Sequence, residues 1–302
     1  MASHLSTSAR QKAENFILAN ANNLAIARYR FHFEGGDAAN VIAALQHYQN
    51  ADGGFGGGLE ADLRTKNSSV IATTIALQIV NEADNPGSPL VDNALRYLAD
   101  RYDGANWPLI NADCNDAPHA PWWTFDPTVQ APSGFAANPG AEVLSYLITF
   151  DAMDKLTRQD LLNRSIEHIA SHPLEMHELL CYLRLFDNPR LPTSAAQSLL
   201  PHLIRRAGQL VKVKPANWDE YSLTPIDVVP GPDAPLADLF SEALDQNIDY
   251  RIAAQKDDGS WSPAWSWGNA FPGAWREAEL EIKVDLTLRF LLQLARFDRL
   301  DS

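Results

Sequence analysis

Apolar residues recur at helical spacing along most of this chain. Val41, Ile42, Leu45 and Tyr48 fall on one side of a helix, which predicts an amphipathic helix with its polar side outward. The segment that follows, 68–80 (SSVIATTIALQIV), is apolar on nearly every side. This pattern indicates a second helix that is covered by neighbours on both sides.

The same alternation of an amphipathic segment and a more apolar segment returns later in the chain. The two further pairs are 91–102 with 140–150, and 237–254 with 280–297. Shorter helical patterns cover the middle of the chain at 158–170, 174–186 and 194–211. Because the alternation typical of strands is sparse, we predict an all-α fold of ten to twelve helices.

The turns between these helices repeat. The segment 49–55 (QNADGGF) aligns without a gap on 255–261 (QKDDGSW), matching Gln, Asp, Gly and an aromatic residue in order. The offset of 206 residues divides into four steps of about 51.5, and Asp103-Gly104 lies 51 residues after Asp52-Gly53, with Trp107 close behind. A hairpin of about 51 residues predicts about six hairpins in 302 residues.

The last predicted helix contains the strongly apolar string LRFLLQLARF and therefore requires a neighbour. An open stack of hairpins needs polar helices at both ends, whereas a closed ring places the C-terminal helix against the N-terminal one. We therefore predict a single domain over residues 1–302, with a long insertion at about 104–137 and a proline-rich loop at about 215–235.

The strings QNADGGFGGG, SSVIATTIAL and QKDDGSW resemble the prenyltransferase and squalene-oxidase repeat of terpenoid cyclases and protein prenyltransferases. The resemblance implies an α/α toroid of about six helical hairpins around a central cavity. It also implies that an outer helix ends at Gln49 or Gln255, that the Asp-Gly turn crosses the rim, and that an inner helix lines the cavity.

The catalytic motifs of that superfamily are incomplete here. The nearest string to the D-x-D-D acid of cyclases is Asp113-Cys114-Asn115-Asp116, which lacks the central aspartate, and no D-D-x-x-D magnesium motif exists. The zinc ligands of protein prenyltransferases have no clean match either. The resemblance therefore implies the fold and a cyclase-like or prenyl-binding enzyme, while no cofactor is predicted and Mg²⁺ and Zn²⁺ are left open.

Charge and targeting signals exclude some partners. The formal net charge is −14, with no run of lysine or arginine, so an attractive field for nucleic acid or an anionic membrane is missing. There are two cysteines, no leader-like N-terminus and no stretch of eighteen apolar residues. We expect a cytoplasmic protein without a transmembrane segment and without a nucleic-acid partner.

Two loops carry candidate chemistry. The glycine-rich connection 56–66 could aim two carboxylates and a guanidinium at a ligand, or form an ion pair within an exposed loop. The insertion could close over a ligand, or its adjacent tryptophans could anchor it to the ring. The candidates in these two loops are Glu60, Asp62, Arg64, Asp113, Asp116, Trp122 and Trp123.

The remaining candidates lie near the starts of inner helices. Three tryptophans before the last helix could stabilise a carbocation or stack on a sugar ring. A carboxylate in a dry cavity has a raised pKa and can become a proton donor, although acidic residues also favour helix N-termini. The candidates are Glu142, His177, Glu178, Trp265, Trp267 and Trp275, and Cys181 stands where an H-E-x-x-H zinc motif needs its second histidine.

These observations give one lead hypothesis and two rivals. The lead is a terpenoid cyclase-like or prenyl-binding enzyme that holds a small apolar or isoprenoid ligand and uses a rim carboxylate for proton transfer. The first rival is a glycan-active toroid, a hydrolase or lyase with an oligosaccharide ligand, which would need two facing carboxylates. The second rival is a non-catalytic ring that binds a ligand or a protein.

Overall fold

The structure is a computed structural model that describes residues 3–129 and 134–301, and this part of the chain contains no β-strand. The prediction of an all-α fold with ten to twelve helices is confirmed by twelve α-helices. They are α1 Thr7–Asn20, α2 Asn23–Phe33, α3 Ala38–Leu45, α4 Val70–Glu82, α5 Pro89–Asp100, α6 Ala137–Thr149, α7 Lys155–Ser171, α8 Met176–Phe186, α9 Thr193–Leu210, α10 Pro225–Val228, α11 Ala237–Ala253 and α12 Pro272–Arg296.

The connections between consecutive helices differ in length according to their place in the chain order. Most links from an odd-numbered to an even-numbered helix are long, and they include both loops that carry candidate residues. Links from an even-numbered to the next odd-numbered helix are no longer than eight residues. None of the helices in the described ranges is both long enough and apolar enough to cross a membrane.

Two compact units divide the chain: Leu45–Leu210, and Met1–Ala44 together with Val211–Ser302. In the Leu45–Leu210 unit, α6 packs against both α4 and α8, while α5, α7 and α9 pack against this row. α6 is buried on nearly every side, including Glu142, as its apolar pattern predicts. The even-numbered helices are therefore the more buried layer of this unit.

In the other unit, the end of the chain meets its beginning. α12 packs against α1 and α2, so the apolar last helix finds its neighbours at the N-terminus. The Leu5 amide donates to the Arg299 carbonyl at 2.8 Å, and the buried Arg299 guanidinium pairs with Asp245 and Asp249 on α11. These contacts fix the two chain ends beside each other.

The first repeated turn is tied to the helix that follows its hairpin. The Gln49 side-chain amide donates to the Gly53 carbonyl at 2.9 Å and to the Leu90 carbonyl at 3.0 Å, at the start of α5. Gly53 has φ +89°, and a Cβ atom there would lie 2.5 Å from the Asn93 carbonyl oxygen. Only glycine combines this backbone conformation with so close an approach.

The second repeated turn has the same geometry with a different partner helix. The Gln255 side-chain amide donates to the Gly259 carbonyl at 2.9 Å and to the Ala9 carbonyl at 2.9 Å, at the start of α1. Gly259 has φ +89°, and a Cβ atom there would lie 2.4 Å from the Lys12 carbonyl oxygen. α1 therefore contacts the turn at Gln255 in the same way as α5 contacts the turn at Gln49.

The turn at Asp103-Gly104 lacks two features of the other two turns, the glutamine and the docked partner helix. Gly104 has φ +94°, yet no atom lies within 4 Å of a Cβ atom placed there, and Asp100 stands three residues before Asp103 where the other turns have glutamine. The Trp107 indole donates to the Leu98 carbonyl at 2.7 Å. The Trp261 indole makes the equivalent bond to the Arg251 carbonyl at 2.7 Å.

Three of the even-numbered helices end with the same dipeptide. Phe-Asp pairs follow or end α6, α8 and α12, at 150–151, 186–187 and 297–298. Asp151 and Asp298 have φ +51° and +53°, the left-handed conformation that ends a helix with backbone bonds to its last turn. Asp187 instead has φ −72° and remains in the right-handed helical region.

Candidate functional site

The two predicted loops are joined to each other. The Arg64 amide donates to the Pro118 carbonyl at 2.9 Å, and the Ala120 amide donates to the Asp62 carbonyl at 2.8 Å. Leu63 and His119 form the antiparallel bridge between these bonds. The insertion is therefore paired with the α3–α4 connection by its backbone.

Within the α3–α4 connection, the charged side chains form a local arrangement. The Glu60 carboxylate accepts from the Asp62 amide at 3.2 Å, and Asp62 is buried. The Arg64 guanidinium lies over Gly58, since a Cβ atom at Gly58 would come within 3.0 Å of it. Both readings of this loop, a ligand-binding loop and a locally paired loop, stay predictions.

The insertion adds a second link and a solvent-facing indole. The Asp113 carboxylate accepts from the Asn67 side chain at 2.7 Å, whereas Asp116 is exposed. Trp122 keeps 49% of its surface exposed, so it does little to anchor the insertion, while Trp123 is half-buried. An exposed indole on a loop held by backbone pairing is suited to stacking on a ligand.

Glu142 lies in a polar group contributed by three helices of one unit. Its Oε1 accepts from Gln78 on α4 at 2.7 Å and from the Tyr146 hydroxyl on α6 at 2.7 Å. Its Oε2 accepts from Arg184 on α8 at 3.1 Å, with the Cys181 thiol at 3.8 Å. Glu142 is only 2% exposed. Donors on both oxygens fix the position of this buried carboxylate and of the side chains that contact it.

This group perturbs the neutral side chains beside it. Burial, the charge of Glu142 and its hydrogen bond raise the pKa of Tyr146 well above its usual value. Burial and the nearby Glu142 likewise raise the pKa of Cys181. Tyr146 and Cys181 therefore act here as protonated donors to Glu142 rather than as nucleophiles.

Arg184 differs from the other members because solvent reaches it. Its side chain is 38% accessible, against 3% for Glu142. Burial acts to lower its pKa, but Glu142, Cys181 and Tyr146 together more than offset this effect, so that the pKa of Arg184 is raised. The guanidinium of Arg184 is therefore held by a buried partner while remaining partly open to solvent. Sequence reasoning did not select Arg184, because an arginine in an apolar helix gives no signal of its partner.

Glu178 belongs to a second polar group, at the start of α8. It forms a reciprocal capping box with Glu175, and its carboxylate lies 3.6 Å from the His168 imidazole on α7. Burial raises the pKa of Glu178 and lowers the pKa of His168 to about 4. Among the predicted carboxyls, Glu178 is therefore one whose surroundings favour the protonated form relative to an exposed glutamate.

His168 also contacts the Tyr182 hydroxyl at 3.2 Å, and that hydroxyl donates to the Ser165 carbonyl at 2.7 Å. Because the hydroxyl proton is engaged, Tyr182 accepts from the imidazole, which leaves the other ring nitrogen as an acceptor towards Glu178. His177, which the sequence placed beside Glu178, is exposed at the helix start. The residues 3–129 and 134–301 contain no group of three His, Cys, Asp or Glu side chains that could hold a metal ion.

The three predicted tryptophans lie in the other unit: Trp265 and Trp267 between α11 and α12, and Trp275 in the first turn of α12. Trp267 is buried and packs on the half-buried Trp275, with ring centroids 5.6 Å apart. Trp265 meets Tyr221 edge to face at 5.3 Å, and Tyr221 is 52% exposed. Trp267 is therefore a packing residue, whereas Trp265 and Trp275 retain accessible faces.

No protein-family model, curated protein or solved structure matches this chain. The resemblance of its turns to the prenyltransferase and squalene-oxidase repeat therefore stays a prediction. The polar groups around Glu142 on α6 and Glu178 on α8 are what the described part of the molecule offers for a functional assignment.

Proposed function

We propose that this protein is an α/α toroid of six helical hairpins that binds an isoprenoid ligand in a central cavity as a terpenoid cyclase-like enzyme. The observation that carries the fold is the contact of Gln255 with Ala9. It repeats the contact of Gln49 with Leu90, so the first helix fills the place of a next outer helix after the last hairpin. A chain whose last repeat uses its first helix in this way closes on itself.

In the proposed ring, the even-numbered helices form the inner wall. Their apolar surfaces suit an isoprenoid chain, and the solvent-accessible Arg184 offers a cation for its polar end. Glu178, with its raised pKa and its neutral histidine neighbour, is the proposed group for proton transfer at the rim. Both polar groups involve α8, Glu178 through its contact with α7 and Arg184 through its contact with α6.

The test is calorimetric titration of the intact protein with geranylgeranyl diphosphate, with squalene and with an oligosaccharide of glucose. We expect binding of the diphosphate, and at least about a tenfold loss of affinity in Arg184→Gln, because a charge-assisted contact is removed. Arg190→Gln is the matched control, since Arg190 is exposed and bonds only the Thr149 carbonyl among the described residues. Absence of binding to both isoprenoids would refute the proposed ligand class.

A glycan-active toroid is the second candidate, and the half-exposed indole of Trp122 favours it. This indole lies on the same insertion as the carboxylates of Asp113 and Asp116, so a stacked sugar would have acidic groups nearby in the chain. Binding of the oligosaccharide that is lost in Trp122→Ala, without isoprenoid binding, would establish this alternative. A ring that binds none of the three ligands would point to a non-catalytic role.

A further inference from the structure

Two buried amide side chains are fixed on one residue of the short helix α10. The Asn247 amide oxygen, on α11, accepts from the Ile226 backbone N–H at 3.0 Å. The Gln293 amide nitrogen, on α12, donates to the Ile226 carbonyl at 3.0 Å. Since the backbone nitrogen and oxygen of one residue are joined through three bonds, they lie within about 4 Å of each other. The two amides are therefore held close together beside α10.

Each of these amides has one polar group that the fold leaves unpaired. Asn247 is fully buried, and Gln293 is 7% exposed. Among the residues that the structure describes, the amide nitrogen of Asn247 and the amide oxygen of Gln293 have no hydrogen-bond partner. Turning either amide over would break the bond that it makes with Ile226, so the orientation of both amides is fixed. One donor and one acceptor are therefore buried and unpaired beside α10.

Arg251 adds a second unpaired donor. It lies one turn after Asn247 on the same side of α11. Its Nη2 donates to the Thr224 hydroxyl at 3.2 Å, and its guanidinium lies 5.0 Å from the centre of the Phe290 ring on α12. Its Nε is buried and, within 3–129 and 134–301, has no hydrogen-bond partner. Because Phe290 precedes Gln293 by three residues, these contacts place the guanidinium beside the part of α12 that carries Gln293.

A buried asparagine in the other unit shows the usual arrangement. Asn188 is 7% exposed, its amide nitrogen donates to the Ser145 carbonyl at 2.8 Å, and its oxygen accepts from the Arg190 amide at 2.9 Å. Buried polar groups are nearly always paired in this way, with protein or with a bound molecule, because an unpaired one destabilises the fold. The three unpaired groups near α10 therefore indicate a bound molecule that supplies their partners.

The kinds of unpaired groups specify the chemistry of that molecule. A hydroxyl oxygen accepts two hydrogen bonds and donates one. It can therefore pair with the donors Asn247 Nδ2 and Arg251 Nε and with the acceptor Gln293 Oε1 at the same time. A carboxylate has no proton for Gln293, and an ammonium group has no lone pair for the two donors.

We propose that Asn247, Arg251 and Gln293 bind one hydroxyl group, supplied by a water molecule or by a small alcohol. The site lies between α10, α11 and α12, and it joins the three helices through a molecule that the chain itself does not provide. It goes beyond the proposed function, since it shares no residue with the polar groups around Glu142 and Glu178.

A crystal structure of the intact protein at about 1.5 Å resolution tests the site directly. We expect one oxygen peak within about 3.2 Å of Asn247 Nδ2, Arg251 Nε and Gln293 Oε1. The amide of Asn188 is the control, because both of its groups are already paired, and its bond to Ser145 is expected to remain. The proposal is overturned if there is no oxygen peak, or if the three side chains pair directly with one another.

Co-crystals grown with 2-bromoethanol distinguish the two sources of the hydroxyl group, because anomalous scattering locates the bromine atom. A bromine signal beside the oxygen peak would assign the site to an alcohol. An unchanged oxygen peak without bromine would assign it to water. A chloride ion in place of the oxygen would overturn the hydroxyl assignment, since chloride has no proton for Gln293.

A double-mutant cycle tests the shared ligand in solution. Gln293→Met removes the acceptor, and Arg251→Lys removes Nε while keeping the positive charge. Because one hydroxyl group pairs with both side chains, we expect the double variant to melt at least about 2 °C above the temperature given by adding the two single losses. Gln293→Met with Asn188→Ala is the control pair, and its losses should add within about 1 °C. Additive losses for the first pair would overturn the shared ligand.

Discussion

Two turns that lie 206 residues apart in the sequence make the same contacts with different partners. Gln49 reaches Leu90, which is 41 residues later, whereas Gln255 reaches Ala9, which is 246 residues earlier. In both turns a glycine at φ +89° lies against the first turns of the partner helix. The comparison teaches that this turn, where it contains glutamine, docks the start of a helix, and that α1 supplies that helix start for the turn at Gln255.

The turn at Asp103-Gly104 shows what is lost when the glutamine is missing. Gly104 has a similar φ of +94°, but it has open space where Gly53 and Gly259 have a backbone carbonyl. The conformation of the turn is therefore separable from the docking of a partner helix. This difference gives a direct way to measure how strongly α1 and α5 are docked.

The largest effect is expected when the two buried glycines are replaced. Gly53→Ala and Gly259→Ala each place a Cβ atom 2.5 Å or less from a backbone oxygen, in a backbone conformation that alanine disfavours. We expect each change to lower the free energy of unfolding by about 3 to 4 kcal/mol, from backbone strain plus displacement of the partner helix. Urea unfolding followed by circular dichroism measures both losses.

Gly104→Ala is the control for this pair, because it has the backbone strain without the clash. We expect it to cost about 1 to 2 kcal/mol. If Gly259→Ala cost no more than Gly104→Ala while Gly53→Ala cost far more, then α1 would not be docked as α5 is. The equivalence of the two turns would then be wrong.

Replacing the two glutamines is expected to have an intermediate effect. Gln49→Met and Gln255→Met keep the length of the side chain and remove two hydrogen bonds each, leaving two carbonyl groups short of a donor. We expect each to lower the free energy of unfolding by about 2 kcal/mol.

Gln159→Met serves as the matched control for the glutamine changes, since Gln159 is exposed and bonds only Asn163 within α7. Its expected cost is below about 0.5 kcal/mol. A loss at Gln49 without a comparable loss at Gln255 would show that the contact between the Gln255 turn and α1 contributes little to the free energy of unfolding. Unfolding by urea distinguishes these cases.

The helices and their repeated turns were predictable because local patterns in the sequence indicate them. The two Gln-containing turns need glycine and aspartate at fixed positions, so they are visible as strings, and the apolar segment 68–80 corresponds to α4 within a few residues. Other features are hidden from such patterns. α12 begins at Pro272, whereas the apolar pattern predicted a start near 280. The pattern missed the first turns of α12 because they are polar and exposed. The four-residue α10 is too short to show a periodicity.

The candidate site was predictable only in part, because its partners come from different helices. Glu142 and Glu178 stood out as charges in apolar helices, and both are engaged in polar groups. Nothing in the spacing joins Glu142 to Gln78 or Arg184, since that contact depends on how α4, α6 and α8 pack.

The pairing of the two loops was missed for a similar reason. Residues 62–64 and 118–120 pair over too few positions to show the alternation that predicts a strand. The α3–α4 connection and the insertion were therefore predicted as separate candidate loops. Their backbone hydrogen bonds join them into one structure, which contains Asp62, Arg64 and Asp113.

The smallest expected effect concerns the threonine behind each repeated turn. The Thr73 hydroxyl accepts from the Phe55 amide at 3.1 Å, and the Thr287 hydroxyl accepts from the Trp261 amide at 3.2 Å. Valine has the same shape but leaves this buried amide unpaired, so Thr73→Val and Thr287→Val should each cost about 1 kcal/mol in urea unfolding. Thr74→Val should cost less, because the Thr74 hydroxyl donates only to the Ile71 carbonyl of its own helix, which already serves that helix. Equal losses at 73 and 287 would extend the equivalence of the two turns into α4 and α12, whereas a loss at only one would confine it to the turn itself.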